Sequence, residues 1–244
     1  MEIKAQMHIH TCYSAHAYST VGETAAEAAR LGIGLIAITD HGPDTPDSGH
    51  VWHFGNMGAL PHNIHGVNVL RGAEANIIDY EGGLDLSGYY QSRLDFIIAS
   101  YHRETLAAGG IEKNTAAYVG ALSNPYVDAL GHCGWSCFEF DLDAVLSAAK
   151  KYDKLIEINN QTFTVRPGSA ENCKKIARRC AELGVKIMVG ADAHSAFMLN
   201  QTERALALLE EIHFPEELVM NTSPEKMLDY LCARRGVGRE EYLK

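Results

Sequence analysis

Hydrophobic positions along the 244-residue chain gather into short dense runs, separated by longer stretches in which apolar and polar residues alternate with a helical period. The runs cover 3–10, 34–40, 67–74, 94–100, 127–132, 154–159 and 185–191. They are too short for buried helices and are rich in Ile, Val, Leu and Ala, so they read as buried strands. Several of the intervening stretches carry helix ends. Thr20 and Glu23 form a capping box ahead of TAAEAARLG, which stops at Gly32. Asp141 precedes LDAVLSAAKKY, Ser169 precedes AENCKKIARRCAELG, and Ser223-Pro224 opens the last helix with proline at its first position. Strands alternating with helices imply parallel pairing in a doubly wound sheet or a barrel. No linker, repeat or low-complexity stretch interrupts the pattern, so 1–244 reads as one domain.

The polar residues fall unevenly on that pattern. MHIHTCYSAH holds His8, His10 and His16, and the first two share a face if the run is a strand. One such histidine would read as a solvated strand end. The same feature recurs, however: Asp40 and His41 end the second run, Glu74 the third, His102 follows the fourth, His132 ends the fifth, and Asp192 and His194 follow the seventh. In parallel β/α barrels the active site is built at the carboxyl ends of the strands, and a random scatter of histidines would not favour that end. The pattern points to metal. Nine candidate ligands exceed the roughly four that one zinc ion takes and suit two or three ions, with Glu74 as the natural bridging carboxylate. Imidazole with few carboxylates favours zinc, then iron or manganese. Cys12 and Cys133 lie near these positions but read as packing residues. Same-face positions two apart on a strand lie about 6–7 Å from each other, which lets Asp192 and His194 serve different ions.

Composition narrows the function classes. A net charge of −10 argues against sequence-independent binding of nucleic acid. No apolar run approaches the roughly 20 residues of a membrane span. The N-terminus lacks the layout of a signal peptide, so a cytoplasmic location is expected. The six cysteines contain no C-x-x-C pair and suggest neither a zinc ribbon nor a disulfide framework. The twelve histidines are the compositional oddity. Four of them, His50, His53, His62 and His65, lie in a long segment after the second run, where such a connection is often a binding loop. Trp52, His53 and Phe54 are candidates for lining a substrate pocket there, whereas His62, His65 and His213 read as structural. Arg166, before the helix start at Ser169, is a candidate phosphate ligand because guanidinium and helix amides both suit oxyanions. Asn159 and Asn160 are candidate substrate contacts.

The ordered set H8-I-H10, TDHG at 39–42, Glu74, His102, GHCG around His132 and ADAH at 191–194 resembles the polymerase and histidinol phosphatase (PHP) family, and HAYST, ITDHGPD, WHF and EINN resemble its YcdX-like phosphatase branch. The resemblance implies a distorted seven-stranded (β/α) barrel with a trinuclear, usually zinc, centre. It would place His8, His10, Glu74 and Asp192 on one ion, His16, His41 and His194 on a second, and Glu74, His102 and His132 on a third. Two positions depart from the family pattern. Gln6 stands where an Asp is usual, which would remove a carboxylate that orients an imidazole, and Cys133 replaces a proline.

Ions sharing a bridging water would supply hydroxide near neutral pH and stabilise charge on a phosphoryl group. The leading expectation is therefore a metal-dependent phosphatase acting on a small phosphate ester, with Asp192 and Glu74 as the catalytic carboxylates. Hydrolysis of an amide, ester or lactone, trimming of nucleotide ends, and a non-catalytic metal-binding role are the alternatives. The expected partner is a small phosphorylated substrate, with neither nucleic acid nor membrane favoured; a homo-oligomer is left open.

Overall fold

The computed structural model describes residues 1–243. Its strands are β1 (Ala5–Gln6), β2 (Leu35–Ile38), β3 (Asn63–Ile64), β4 (Val67–Asn76), β5 (Phe96–Ser100), β6 (Ala129–Leu130), β7 (Leu155–Asn159) and β8 (Ile187–Gly190). Seven of them pair in parallel in the order β1-β2-β4-β5-β6-β7-β8, and β3 folds back antiparallel on β4. The ring closes at its carboxyl end, where the His10 amide donates to the Ala193 carbonyl at 2.8 Å and the Ala193 amide to the His8 carbonyl at 3.1 Å. Lower down, Asn221 spans the gap: its Nδ2 donates to the carbonyls of Ala5 and Val189, and its Oδ1 accepts from the Val189 amide. The result is a nearly closed, distorted (β/α) barrel, one of the two architectures that the alternation of runs and helices allows and the one that the family resemblance implies.

Along the inward-facing positions, polarity rises towards the carboxyl end of the strands. β4 runs Leu70, Gly72, Glu74; β5 runs Phe96, Ile98, Ser100; β7 runs Leu155, Glu157, Asn159. The apolar members join Ala5, Met7, Leu35, Ala37, Ala129 and Met188 in one buried cluster, plugged from below by Met227, Leu228 and Leu231 of the helix Pro224–Arg235. Outward positions such as Ile36, Ile38, Val69, Ile97, Ile156 and Val189 pack beneath the surrounding helices in a second cluster. The lower half of the barrel is thus filled with hydrocarbon, and the upper half is left to polar side chains.

The first run departs from its predicted form. It pairs regularly only at Ala5–Gln6. Met7 packs with the inner cluster while Ile9 packs with the outer one, so the alternation slips by one residue between Met7 and His8. That slip turns both His8 and His10 inwards. Hydrogen bonds from the Ile9 amide to Thr39 Oγ1 and from the Thr39 amide to the Ile9 carbonyl replace the ladder there.

The helix ends follow the sequence signals with one exception. The Thr20–Glu23 capping box is formed, Gly32 and Gly184 take left-handed C-cap conformations, and Asp141 and Ser223 accept from Ala144 and Lys226. Ser169 does not cap its helix. Its backbone is itself helical, and its Oγ instead accepts from the Ser136 amide at 3.1 Å. Among the described residues no helix is long and apolar enough to cross a membrane.

Candidate active site

At the carboxyl end of the barrel, Glu74 stands among five imidazoles. Its Oε1 lies 2.9 Å from His132 Nε2, 3.3 Å from His8 Nε2 and 3.6 Å from His102 Nε2. Its Oε2 lies 3.0 Å from His41 Nδ1 and 3.6 Å from His10 Nε2. Asp192 Oδ1 approaches His10 Nε2 at 3.2 Å and both His8 Nε2 and His194 Nδ1 at 3.6 Å. The rings of His16 and His194 stack with centroids 4.4 Å apart, and His16 lies 5.3 Å from His41. All nine residues expected to bind metal therefore converge.

The outer nitrogens of several rings are already committed. His8 Nδ1 lies 2.7 Å from Glu157 Oε1, His102 Nδ1 lies 2.6 Å from Asn76 Oδ1, and His194 Nδ1 lies 3.0 Å from the Asp192 carbonyl. These acceptors place the proton on Nδ1 and leave Nε2 free for the centre. The Asn76 contact is fixed in turn, because its Nδ2 donates to Asp85 at 2.5 Å. By contrast, His8 Nε2, both nitrogens of His10, His41 Nδ1, both oxygens of Glu74, His132 Nε2 and His194 Nε2 are buried with no hydrogen-bond partner. Buried polar atoms left unpaired are costly, and so many converging on one point mark a place for cations. Triads within ligand reach are His10–His41–His194, His8–His10–Glu74, His16–His41–Asp47 and His41–Glu74–His102. This imidazole and carboxylate donor set fits divalent zinc, iron or manganese.

Charge and burial act in opposing directions here. Burial, aided by the His41 charge, pushes the His10 imidazole down to about 3, and burial also lowers His102 and His194. These rings are neutral and ligand-ready at physiological pH. Burial alone would raise Glu74 and Asp192. The surrounding cations, His8 first in each case, outweigh it and hold both carboxyls well below their usual range. His8 goes the other way: burial disfavours its charge, but Glu157, Glu74 and Asp192 together raise it.

A cavity of about 580 Å³ opens over the cluster, with Trp135, Gln161, Val165, Arg166, Glu104 and Met198 on its rim. Arg166 Nη1 is buried, has no hydrogen-bond partner and stands 3.6 Å from Asp192 Oδ2. Its guanidinium carbon lies 5.3 Å from the centre of the Trp135 ring, and that of Arg103 lies 4.7 Å from it.

The structure does not bring four of the other expected substrate contacts, Trp52, His53, Phe54 and Asn160, to this cavity. Trp52 is 74% exposed, and with His53 it borders a separate hollow beside Tyr89 and Tyr90. His53 stacks on Tyr13 with centroids 3.7 Å apart and turns Nε2 to within 3.3 Å of Asp40. Phe54 is buried in the core. Asn160 spends its oxygen on the amides of Arg204 and Ala205, at the start of the helix Glu203–Glu211. Its neighbour Asn159 does reach the site, donating to Asp192 Oδ2 at 3.1 Å. His62 is buried against the Val69 carbonyl, and His65 with Gly66 forms the two-residue turn between β3 and β4, both at positive φ. Both are structural, as expected.

Two geometric expectations are corrected. Asp192 and His194 do not project from a regular strand, because β8 ends at Gly190 and Asp192 has φ of 49°. Gln6 does not face the site: its Oε1 accepts from the Ala191 amide at 3.3 Å. Glu157, Asn76, Asp47 and Trp135 were not expected from the sequence. Glu157 carried a signal, as a lone charged residue inside the buried run LIEIN.

A PHP-domain sequence profile matches residues 6–163, more than half of the chain. The chain belongs to the PHP family. Among PHP relatives, a "probable phosphatase" of Acetivibrio thermocellus is 47% identical over 235 residues, covering 96% of this chain and 98% of that protein. A "probable phosphatase" of Thermoanaerobacter sp. is 46% identical over 244 residues, covering 99% of this chain and all of that protein (100%). The fold of this PHP domain also resembles a histidinol phosphate phosphatase of Lactococcus lactis, solved with zinc, L-histidinol and phosphate. The TM-score is 0.60 at 17% identity, covering 88% of this chain and 95% of that one.

Proposed function

We propose that this PHP protein is a metal-dependent phosphatase acting on a small phosphate monoester at a centre of three divalent ions, with zinc the leading candidate. The observation that carries the reading is the set of buried, unpartnered imidazole and carboxylate atoms converging beside Arg166, whose Nη1 has no hydrogen-bond partner. The phosphatase names of relatives at 46–47% identity support it. His8, His10, Glu74 and Asp192 would hold one ion, and His41, His16 and His194 a second, with Asp47 beside them. Glu74, His102 and His132 would hold the third, with Glu74 contributing to two of the three sites.

Ions bound there supply Lewis-acid charge to the phosphoryl oxygens and make water a nucleophile near neutral pH. The side chains do the rest. Arg166 offers two parallel N–H donors to the same phosphoryl group. Asp192, oriented by Asn159, stands between that guanidinium and the imidazoles of His8 and His10, where it can accept a hydrogen bond from attacking water and orient it. Trp135 and Val165 give the leaving group an apolar wall, and the cavity admits a small ester. The buried guanidinium favours a phosphoryl group over the carbonyl of an amide, ester or lactone.

The test is a substrate panel on protein of measured metal content, with and without chelation. Phosphate release from at least one monoester, abolished by chelation and restored by added zinc or manganese, is the expected result. Hydrolysis confined to lactones or carboxylic esters, or metal binding with no turnover of any member, would overturn the reading.

A further inference from the structure

Glu157 lies in the middle of β7, buried between Ile156 and Ile158 and only 2% exposed. Its carboxylate is shared between two residues that follow other strands. Oε1 meets His8 Nδ1 at 2.7 Å, and Oε2 accepts the His132 amide at 2.6 Å. To reach His8, which follows β1, the side chain must cross β8, because β8 stands between β7 and the closing edge of the barrel. The crossing is open because β8 ends in Gly190, where a Cβ would lie 1.8 Å from Glu157 Oε1. That glycine has no positive φ to explain it; the space is what its missing side chain provides.

We infer that Glu157 is a positioning residue that sets the geometry of two metal ligands at once, an inference that rests on the metal-centre reading above. An ionised carboxylate only accepts, so it fixes the proton of His8 on Nδ1 and presents the Nε2 lone pair to the centre, 3.3 Å from Glu74 and 3.6 Å from Asp192. The second bond acts on backbone. His132 has φ of 24°, a conformation that residues with a side chain rarely adopt, and the short bond to its amide holds the chain there. The imidazole of His132 is thereby directed at Glu74, 2.9 Å away. Glutamine at position 157 has one acceptor for two donors. Either the His8 proton moves to the nitrogen that faces the centre, or the His132 amide is left unpaired.

The experiment compares wild type with Glu157→Gln and, as an independent route, Gly190→Ala, whose methyl occupies the carboxylate's place. Zinc affinity is measured by competition with a chromophoric chelator. The His8 tautomer is read from nitrogen-15 NMR of the zinc-loaded protein, and the His132 amide proton is followed in the metal-free protein. Expected are a loss of about 10- to 100-fold in affinity for the tightest ion in both variants and, in Glu157→Gln, either loss of the Nδ1–H signal of His8 or an upfield move of the His132 amide. Affinity within threefold of wild type together with an unchanged His132 amide would overturn the role of Glu157. Altered thermal stability without these changes would overturn it too, since a merely structural residue would behave so. If wild type takes up no zinc, the metal-centre reading fails, and the His132 amide alone decides what Glu157 does.

Discussion

Removing the Arg166 guanidinium tests the phosphate reading most directly. The side chain follows the short helix Thr162–Val165, is 11% exposed, and has a buried Nη1 without a hydrogen-bond partner. Its nearest charge, Asp192 Oδ2 at 3.6 Å, is too far for a hydrogen bond, so the donors are available to substrate. A hydrogen bond between charged groups contributes about 1.5–3 kcal/mol. At about 1.36 kcal/mol per decade, Arg166→Ala should lower kcat/KM by about 10- to 150-fold. Contact with phosphate in the ground state as well as the transition state would put much of that loss in KM. The inhibition constant of inorganic phosphate should then weaken in parallel. Arg166→Lys should recover part of the loss, because a point charge replaces the two-donor fork. The assay is steady-state kinetics on the best monoester of the panel, at verified metal content. An Arg166→Ala enzyme with full metal, unchanged kcat/KM and unchanged phosphate inhibition would refute the assignment of this guanidinium to phosphate.

Three further outcomes are expected. Asp192→Asn should lower turnover strongly while retaining part of the metal, whereas His194→Ala should lower the bound-metal count by about one in elemental analysis; full activity with full metal in Asp192→Asn would remove Asp192 from the chemistry. Chelation should leave far-ultraviolet dichroism and cooperative unfolding intact, because the hydrocarbon cluster below the site is filled without ions, and added zinc should raise Tm by mass action; collapse of the fold on chelation would contradict this. Lys154, 3% exposed and donating to the carbonyls of Asn124 and Val127, is pushed down to about 8 by burial and then by the Arg235 charge, from an ordinary 10.5. Because the unfolded chain holds that proton more tightly, stability should rise between pH 8 and 10.5, by about 3 kcal/mol at most, relative to Lys154→Met at the same pH; parallel denaturation curves for the two proteins across that window would show that the lysine is not strained.

The parts of this molecule legible in its sequence are those governed by short range. The capping box at Thr20 and Glu23, the proline after Ser223 and the glycines at 32 and 184 act within one turn, and the structure bears each of them out. The metal-capable residues were legible because they gather at or shortly after the ends of the apolar runs, and the fold brings all run ends to one mouth. What stayed hidden depends on distance. Glu157 finds His8 across 149 positions, and Asn76 finds His102 across 26. Ser169 looked like a cap and is not, because Ser136, on another segment, competes for its hydroxyl. The helix Gly110–Ser123 begins without any side-chain cap and so gave no start signal. Trp52 and His53 looked like pocket residues from their place in a long loop, but a loop's length does not say which way it folds. The Asp40 carboxylate draws His53 away from the cavity.

The shortness of β1, β6 and β8 has the same origin as the site. A regular ladder would bind every backbone amide to a neighbouring strand and send side chains alternately in and out. Here His8 and His10 face inward only after a slip, and His132 and Asp192 carry left-handed backbone, so the ladder cannot continue through them. Buried amides still need acceptors. Side chains provide them at the breaks: Thr39 takes the amide of Ile9, Gln6 that of Ala191, Asn221 that of Val189 and Glu157 that of His132. Each of these side chains replaces a ladder bond beside or below a candidate ligand. The contacts that close the barrel are therefore largely the contacts that aim the imidazoles. Gln6 fits this account: its amide oxygen serves the closure between β1 and β8, while a carboxylate on β7 meets His8.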